Sequence, residues 1–261
     1  MSRHVPLAGV RNFRDFGDYP AGARRMRKGV LYRSAHHAKA TDEDLLALAA
    51  LSPAIIVDLR RNAERANEPS RRWPDFSSHL IENDDHDETQ EAHEADWLAF
   101  VAQLGLTQEA ILERGHAWYR RAPFEPRHID LFSRFFYALA ETQGPVLIHC
   151  AGGKDRTGIL AALTHHIAGV ADEDIISDYL LTNDPATYAR AEIEIMTWMM
   201  REAPHNADPA LIRTIYEITP AHLQCAFDEM KARYGSIDDY LARALGVDVA
   251  LRAKIEARIL E

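Results

Sequence analysis

The stretch that decides the fold is Val146–Leu160, which reads VLIHCAGGKDRTGIL. The apolar run Val146–His149 has the length and composition of a short strand that is buried on both faces. A turn with two glycines follows, and Thr157–Ala168 predicts a buried helix that ends at Gly169. Ligands of open α/β sheets bind at the carboxyl ends of the strands, so this turn is the expected place for a functional site.

The turn Cys150–Arg156 has the composition of an anion-binding loop. Gly152 and Gly153 allow the backbone to curl so that successive N–H groups point inward. The N-terminus of the following helix adds unpaired N–H groups and a partial positive charge. The loop is therefore suited to phosphate or to a similar oxyanion.

Side chains in and next to this loop indicate its chemistry. The N–H dipoles and a nearby guanidinium favour the thiolate form of Cys150, which is the nucleophilic form of a thiol. Arg156 can hold two phosphate oxygens with its planar fork of N–H groups. Thr157 can donate its hydroxyl to the thiolate or orient a water molecule. We expect His149 to fix the loop through hydrogen bonds of its ring rather than to act as a base.

The segment HCAGGKDRT resembles the Cys-x5-Arg-Ser/Thr signature of the protein tyrosine phosphatase superfamily. The run Lys154–Arg156 is similar to the bacterial atypical group, which includes secreted tyrosine and lipid phosphatases of pathogens. Further segments that resemble this group are spread along most of the chain: Asn12–Asp15, Tyr32–Ser34, Asp58–Arg60 with Glu64, Asp178–Leu180 with Thr182 and Asn183, and Tyr234–Leu241.

The resemblance implies a two-step reaction without a metal or another cofactor. Cys150 attacks phosphorus and forms a phosphocysteine, which water then hydrolyses. In lipid phosphatases of this superfamily, a lysine at the place that Lys154 occupies here favours charged inositol head groups. Phosphotyrosine, phosphoserine or phosphothreonine, and phosphoinositides are therefore all implied as substrates. The residues implied to bind the phosphate are those of the loop: Ala151, Gly152, Gly153, Lys154, Asp155, Arg156 and Thr157.

The general acid of this reaction has two candidate positions. The atypical group has an Asp at the position of Asp155, so the resemblance favours this residue. The alternative is Asp85, with its neighbours Asp84 and Asp87, which follows a predicted strand as an acid on a separate loop would. A carboxyl group of either kind could protonate the leaving oxygen and then activate water.

Three other groups of residues each allow two interpretations. Lys154 is either a cation at the edge of the pocket or a solvated surface residue. The apolar residues within Met196–Met200 are either helix core or part of a lid. The ionic residues of the family segments are either scaffold ion pairs or supports behind the loop: Arg14, Arg33, Asp58, Arg60 and Glu64.

The remaining pattern predicts an α/β fold with a central, mostly parallel sheet flanked by helices, as in tyrosine phosphatases. Strands are expected within 30–35, 54–59 and 77–82, and helices near 60–72, after the capping residue Thr41 and over 127–142. Additional helices are expected as a lid or insertion over 83–127 and as a C-terminal part over 172–261. The simplest organisation is one domain, 1–261.

Composition excludes several classes of protein. The formal charge of −10 argues against nucleic-acid binding, which needs a basic surface. No apolar run is long enough for a secretory signal or for stable membrane insertion, so a cytoplasmic location is expected, with export by a signal-less route left open. Having only two cysteines argues against a disulfide framework. The acidic, histidine-containing run 83–94 fits a solvated loop better than a metal site.

Two other functions compete with phosphatase activity. A rhodanese-like sulfurtransferase also holds a cysteine in an anion-binding loop, and a catalytically inactive phospho-binding module keeps the loop without turnover. Arg156 followed by Thr157 and Gly158 favours phosphoryl chemistry, and inactive modules usually lack the cysteine or the arginine. The expected partner is a phosphorylated protein or a phosphoinositide substrate, and the oligomeric state is not indicated.

Overall fold

A computed structural model describes residues 3–83 and 97–261 of the chain. Its strands are short and have the following bounds: β1 Arg14–Asp15, β2 Pro20–Ala21, β3 Arg24–Arg25, β4 Leu31–Ser34, β5 Ile55–Asp58, β6 His79–Ile81 and β7 Val146–His149. The main sheet has five strands in the order β1-β4-β7-β5-β6, and β2 and β3 form a separate hairpin.

The main sheet is parallel except at one edge. β4, β7, β5 and β6 pair in parallel, whereas β1 pairs antiparallel with β4. Every residue of the adjacent central strands β5 and β7 is buried. The predicted α/β fold with a mostly parallel sheet is confirmed, because strands covered on both faces require continuous apolar runs.

Helices flank this sheet and form most of the C-terminal part. Their bounds are α1 Asp42–Leu51, α2 Asn62–Asn67, α3 Gln108–Arg121, α4 Pro126–Glu141, α5 Asp155–Ala168, α6 Asp172–Leu180, α7 Pro185–Glu202, α8 Pro209–Tyr216, α9 Pro220–Tyr234, α10 Ile237–Leu245 and α11 Val249–Ile259. Residues 97–101 are also helical. Within the described ranges, no helix combines the length and the apolar character that a membrane crossing needs.

Helix α5 begins earlier than the sequence suggested. The loop was expected to extend to Arg156, but the helix starts at Asp155, because the Gly158 N–H already donates to the Lys154 carbonyl at 2.8 Å. The helix ends as expected at Gly169, which has a φ of 80° and terminates it in the left-handed conformation. Two residues proposed to act from the loop therefore lie on the first turn of a helix.

Side chains of the central strand alternate between two apolar clusters. Val146 and Ile148 belong to the large cluster, which includes the buried faces of α4 and α5. Leu147 faces the other side of the sheet and belongs to a smaller cluster with Leu45 and Leu48 of α1. This alternation follows from the two-residue period of a strand, and it fixes β7 between two helical layers.

The expected insertion over 83–127 is described only in part. Residues 84–96 lie outside the described residues, and with them lie Asp84, Asp85, Asp87, His86 and His93. The remainder consists of the helical residues 97–101, then α3, and then the first residues of α4.

A buried ion network joins three elements of the fold. Asp178 on α6 binds Arg14 Nε at 3.2 Å and Arg33 Nη1 at 2.8 Å, and all three side chains are almost fully buried. Burial alone would raise the pKa of Asp178, but the two guanidinium charges hold it well below its usual range. Two arginines from adjacent strands, β1 and β4, thus share one carboxylate from a helix.

We expect Asp178→Asn to lower the free energy of unfolding by about 3–5 kcal/mol, because two buried guanidinium groups lose their counter-charge. Urea unfolding measures this loss. The exposed change Asp172→Asn on the same helix should cost less than about 1 kcal/mol. A similar loss for both variants would contradict the role of the network.

We also expect the difference in stability between the wild type and Asp178→Asn to depend on pH. The folded-state pKa of Asp178 is lowered, so its contribution to stability is present above the pKa of an unfolded aspartate and is lost as the pH falls. The difference in the free energy of unfolding between the wild type and Asp178→Asn should therefore become smaller below about pH 4.

Candidate active site

Cys150 lies directly after the central strand. β7 ends at His149, which the parallel register places beside Ser34 of β4 and Asp58 of β5. The backbone then turns through Ala151–Gly153 into α5, and the Cys150 side chain is only 2% exposed. The loop lies at the carboxyl edge of the sheet, where the sequence placed it.

Gly153 is the position at which the loop needs a residue without a side chain. Its φ is +63°, and a Cβ there would lie 2.4 Å from the carbonyl carbon and oxygen of Ser34. A Cβ at Gly152 would meet nothing closer than the Lys154 Cβ at 3.6 Å. The second glycine is therefore required for the turn and for its close approach to β4, whereas the first is not.

Buried donors hold carbonyl groups of the loop on its outer side. The Gly153 carbonyl accepts hydrogen bonds from Asn12 Nδ2 at 2.8 Å and from Arg33 Nη2 at 3.0 Å. The Ala151 carbonyl accepts from the backbone N–H of His36 at 3.3 Å. In a trans peptide the N–H points opposite to the carbonyl, so the N–H groups of these two peptides point to the inner side of the loop.

The ionic residues of the family segments serve the scaffold and the loop together. Arg33 contacts the loop directly, and Asp178 holds Arg33 in place while also binding Arg14. Arg60 forms a separate buried pair with Asp58, with its Nη2 2.7 Å from Oδ2. The two interpretations of these residues are therefore not exclusive, because the scaffold ion network itself reaches the loop.

Glu64 fixes the orientation of the Arg156 guanidinium. The carboxylate accepts from Nη1 at 2.5 Å and from Nη2 at 2.6 Å, and Nη1 also donates to the Leu59 carbonyl at 3.2 Å. This end-on pair leaves Nε–H and one N–H of Nη2 as a side-on fork for an oxyanion. Burial opposes charge on both groups, but their mutual attraction lowers the pKa of Glu64 to about 2 and raises that of Arg156.

Asp155 is held by two buried tyrosines in series. Tyr119 donates its hydroxyl to Asp155 Oδ1 at 2.6 Å, and Tyr179 donates to the Tyr119 hydroxyl at 2.6 Å. Burial raises the pKa of both tyrosines well above the ordinary value, so both remain protonated donors at neutral pH. Oδ1 is thus a fixed acceptor, and any proton on this carboxyl group resides on Oδ2.

Lys154 lies at the edge of the pocket rather than in solvent, and its ammonium group is already hydrogen-bonded within the protein. Its Nζ donates to the Ile215 and Tyr216 carbonyls at 3.0 Å each and lies 3.7 Å from Asp155 Oδ2. The lysine therefore attaches the C-terminal end of α8 to the loop. These neutral acceptors leave its positive charge in place beside Asp155.

Two buried polar groups next to the loop lack hydrogen-bond partners among the described residues. The Thr157 hydroxyl is one. The other is the His149 ring, whose Nδ1 lies 3.7 Å from Asp58 Oδ1 and whose face packs on His37. Hydrogen bonds of the His149 ring were expected to fix the loop, but within residues 3–83 and 97–261 the ring contributes packing instead. Burial lowers the pKa of His149 to about 4.

A cavity of about 650 Å³ opens at the first turn of α5, directly after the loop. Six charged or polar residues of the described ranges line it: Arg61, Glu64, His128, Asp155, Arg156 and Glu202. Large apolar side chains form its walls: Trp97, Leu98, Trp118, Ile195, Trp198 and Ile215. Trp198 and Ile195 come from α7, which supports the lid interpretation for that helix, while the neighbouring Met199 is buried in the core. The site therefore combines an anion-binding loop with an aromatic pocket.

Sequence reasoning missed Tyr119 and Tyr179 as site residues. Tyr179 lies within a segment that resembles the family, but no local pattern indicated that its hydroxyl would reach another tyrosine 60 residues away in sequence. Tyr119 was visible only as one of several large residues between 97 and 126. Its hydrogen bond to Asp155 joins α3 to the start of α5, which lies 36 residues away in sequence.

Comparison with known proteins agrees with this geometry. A family model described as the tyrosine phosphatase family matches residues 5–261.

The chain belongs to the tyrosine phosphatase family.

This phosphatase is similar to three named proteins. It is 29% identical over 253 residues to a putative tyrosine-protein phosphatase of Cupriavidus necator. That alignment covers 92% of this chain and 84% of the relative. It is 28% identical over 260 residues to the triple specificity protein phosphatase PtpB of Mycobacterium tuberculosis, at 91% and 92% coverage. A tyrosine-protein phosphatase of Nostoc commune is 31% identical over 152 residues, at 58% and 47% coverage.

We expect Gly153→Ala to lower kcat/KM of this phosphatase by about a hundredfold, because a small displacement of a positioning loop has an effect of that size. The added methyl group would overlap the Ser34 carbonyl. Gly152→Ala is the matched control and should lose far less. Hydrolysis of p-nitrophenyl phosphate, with circular dichroism to verify folding, measures both. Equal losses would show that the contact with Ser34 does not set the loop.

Proposed function

We propose that the chain hydrolyses phosphotyrosine through a phosphocysteine on Cys150, as a single cytoplasmic domain covering residues 1–261. One observation carries the proposal: the loop after β7 holds a buried thiol and outward-held carbonyls, and the Arg156 guanidinium that follows it interacts with Cys150 and lines an aromatic cavity. Elements far apart in sequence, α3, α5 and α7, contribute to that cavity, which supports a single unit.

In the first step, the Cys150 thiolate attacks phosphorus while the bond from phosphorus to the leaving oxygen breaks. The inward N–H groups and the side-on fork of Arg156 hold the charge that develops on the phosphoryl oxygens. The phosphate contacts are assigned to the loop and the first turn of α5, from Ala151 to Thr157. The hydroxyl of Thr157 has no partner among the described residues and is proposed to donate to the thiolate or to orient water.

Asp155 is assigned as the general acid and then the base. Tyr119 occupies Oδ1, so Oδ2 gives its proton to the leaving oxygen and later takes one from the attacking water. That water attacks the phosphocysteine, releases phosphate and restores the thiolate. Asp85 remains the second candidate, and it lies outside the described residues.

The cavity favours an aromatic leaving group. Trp97, Trp118 and Trp198 can pack on the ring of a phosphotyrosine in the offset-stacked or edge-to-face arrangements that aromatic pairs prefer. Phosphoserine, phosphothreonine and phosphoinositides are proposed as further substrates, because the charge of Lys154 lies beside the site. The triple specificity of the Mycobacterium relative, as its name states it, supports this wider range.

The test is turnover of p-nitrophenyl phosphate and of a phosphotyrosine peptide, with and without EDTA. Cys150→Ser should lower turnover by at least about 10³-fold, as the loss of a nucleophile does. Cys225→Ser on α9 is the matched control and should keep activity. Trapping a phosphocysteine in the wild type would support the mechanism.

Other results would contradict the proposal. Turnover of thiosulfate instead of phosphate esters would identify a sulfurtransferase. Oxyanion binding by the wild type without any turnover would identify a binding module. Loss of activity in EDTA would argue against a reaction without metal.

We expect the leaving group to reveal the role of the Tyr119–Asp155 pair. Asp155→Asn should lower kcat by about 10²–10⁴-fold on phenyl phosphate, whose leaving group needs a proton, and much less on p-nitrophenyl phosphate. Tyr119→Phe should have the same selectivity at about tenfold, because Oδ2 loses its fixed orientation. Tyr137→Phe, an exposed change, should leave both rates unaltered. An equal effect of Tyr119→Phe on both substrates would indicate a structural role only.

A further inference from the structure

The guanidinium of Arg156 is held by one short segment of the chain, residues 59–64, which we call the frame. Arg156 Nη1 donates to the Leu59 carbonyl at 3.2 Å, and its two terminal nitrogens donate to the Glu64 carboxylate. Glu64 is itself fixed, because its Oε2 accepts from the Arg61 N–H at 2.7 Å. The direction in which Arg156 points therefore depends on how firmly the frame is held.

A second buried arginine, Arg127, binds the same frame from helix α4. Its Nη1 donates to the Leu59 carbonyl at 3.2 Å, and its Nη2 donates to the Arg60 carbonyl at 2.9 Å. One guanidinium thus spans two successive carbonyl groups of the frame, which its planar fork of N–H groups allows. The Leu59 carbonyl accepts from Arg127 and Arg156 at once, so a single oxygen atom joins the two guanidinium groups.

The charge of Arg127 is more than its hydrogen bonds require. Burial, together with the nearby positive charge of Arg156, lowers the pKa of Arg127 to about 10, so the side chain is still charged at pH 7. Among the described residues, its hydrogen bonds go to neutral carbonyl groups and not to a carboxylate. A neutral donor could bind the same carbonyls without the cost of burying a cation. A buried guanidinium beside Arg156 therefore favours a role in the site.

Helix α4 gives Arg127 a rigid support. The helix begins at Pro126, so Arg127 lies in its first turn, and the Arg127 side chain is 9% exposed. Further along the helix, Leu131 and Phe135 are fully buried in the large apolar cluster that also contains residues of β5 and β7. Because α4 is packed into the core, Arg127 can hold the frame at a fixed position relative to the sheet.

We propose that Arg127 is a positioning residue for the phosphatase reaction: by binding two successive carbonyl groups of the frame, it fixes the direction in which Arg156 presents its free side to the phosphoryl group. This inference rests on the proposed function. Arg127 acts through the frame and through the shared Leu59 carbonyl, and no contact between Arg127 and the substrate is required.

The test measures kcat/KM on p-nitrophenyl phosphate, and the inhibition constant of vanadate, for Arg127→Ala and Arg127→Lys. We expect both variants to lose about 10- to 100-fold in kcat/KM, because a small displacement of a positioned group has an effect of that size. The inhibition constant of vanadate, a transition-state mimic, should rise by the same factor, since the lost contact acts in the transition state. Arg127→Lys keeps the charge but cannot span two carbonyl groups, so it should not restore the rate.

Chemical rescue separates positioning from a merely structural role. Guanidinium ion added to Arg127→Ala, far below the concentrations that unfold proteins, should restore most of the lost rate, because it offers the same planar fork of N–H groups. Ammonium ion, which has the charge without the fork, should not. A merely structural role would lower the fraction of folded protein but not the rate per active site, which alkylation of Cys150 counts.

Arg134→Ala is the matched control on the same helix. Arg134 also donates to a backbone carbonyl, that of Glu82 at 2.9 Å, but it does not line the cavity at the site. This variant should keep the wild-type kcat/KM and should not respond to guanidinium ion. If Arg127→Ala does not fold, Arg127→Lys provides the test.

Two results would overturn the inference. The first is unaltered kcat/KM and vanadate inhibition in folded Arg127→Ala, which would leave the phosphatase function intact. The second is full activity of Arg127→Lys, which would show that a buried charge is sufficient without the two carbonyl contacts. Absence of turnover of p-nitrophenyl phosphate by the wild type would instead refute the proposed function on which the inference rests.

Discussion

The hydrogen bonds that the Gly153 carbonyl accepts from Asn12 and Arg33 are the contacts on which the site depends. They orient a peptide group so that its N–H points to the inner side of the loop, at a glycine with a positive φ that lies against the Ser34 carbonyl. Arg33 can serve as a donor there only because Asp178 neutralises it in the interior. A charge buried without a partner would be too costly, so the phosphate loop and the ion network beneath it have to form together.

The Arg156 guanidinium is likewise held by a carboxylate, on the open side of the loop. Glu64 occupies the end of the Arg156 guanidinium and leaves its side free, so one carboxylate both compensates the charge and selects the direction of binding. This arrangement lets a protein with a net formal charge of −10 bind a dianion. Attraction is confined to a few fixed groups rather than spread over the surface, and long-range repulsion is screened by salt.

The pocket around the loop is lined by helices that lie outside the segments resembling the phosphatase family. α3 contributes Trp118 and the hydroxyl that orients Asp155, α7 contributes Trp198, and α8 is attached to the loop by Lys154. The anion-binding chemistry and the shape of the leaving-group pocket are therefore set by different parts of the chain.

The sequence by itself determined the strand, the turn and the helix around Cys150, because these depend on local apolar runs and glycines, although the helix begins two residues before the predicted Thr157. It also indicated the anion-binding chemistry, since the thiol, the glycines and Arg156 lie within seven residues. Only the tertiary structure decided which side chains meet the loop from elsewhere: Glu64 on Arg156, Tyr119 on Asp155, and Arg33 on Gly153. Such contacts join residues 36 to 120 positions apart, and no local periodicity encodes a distance in space between them.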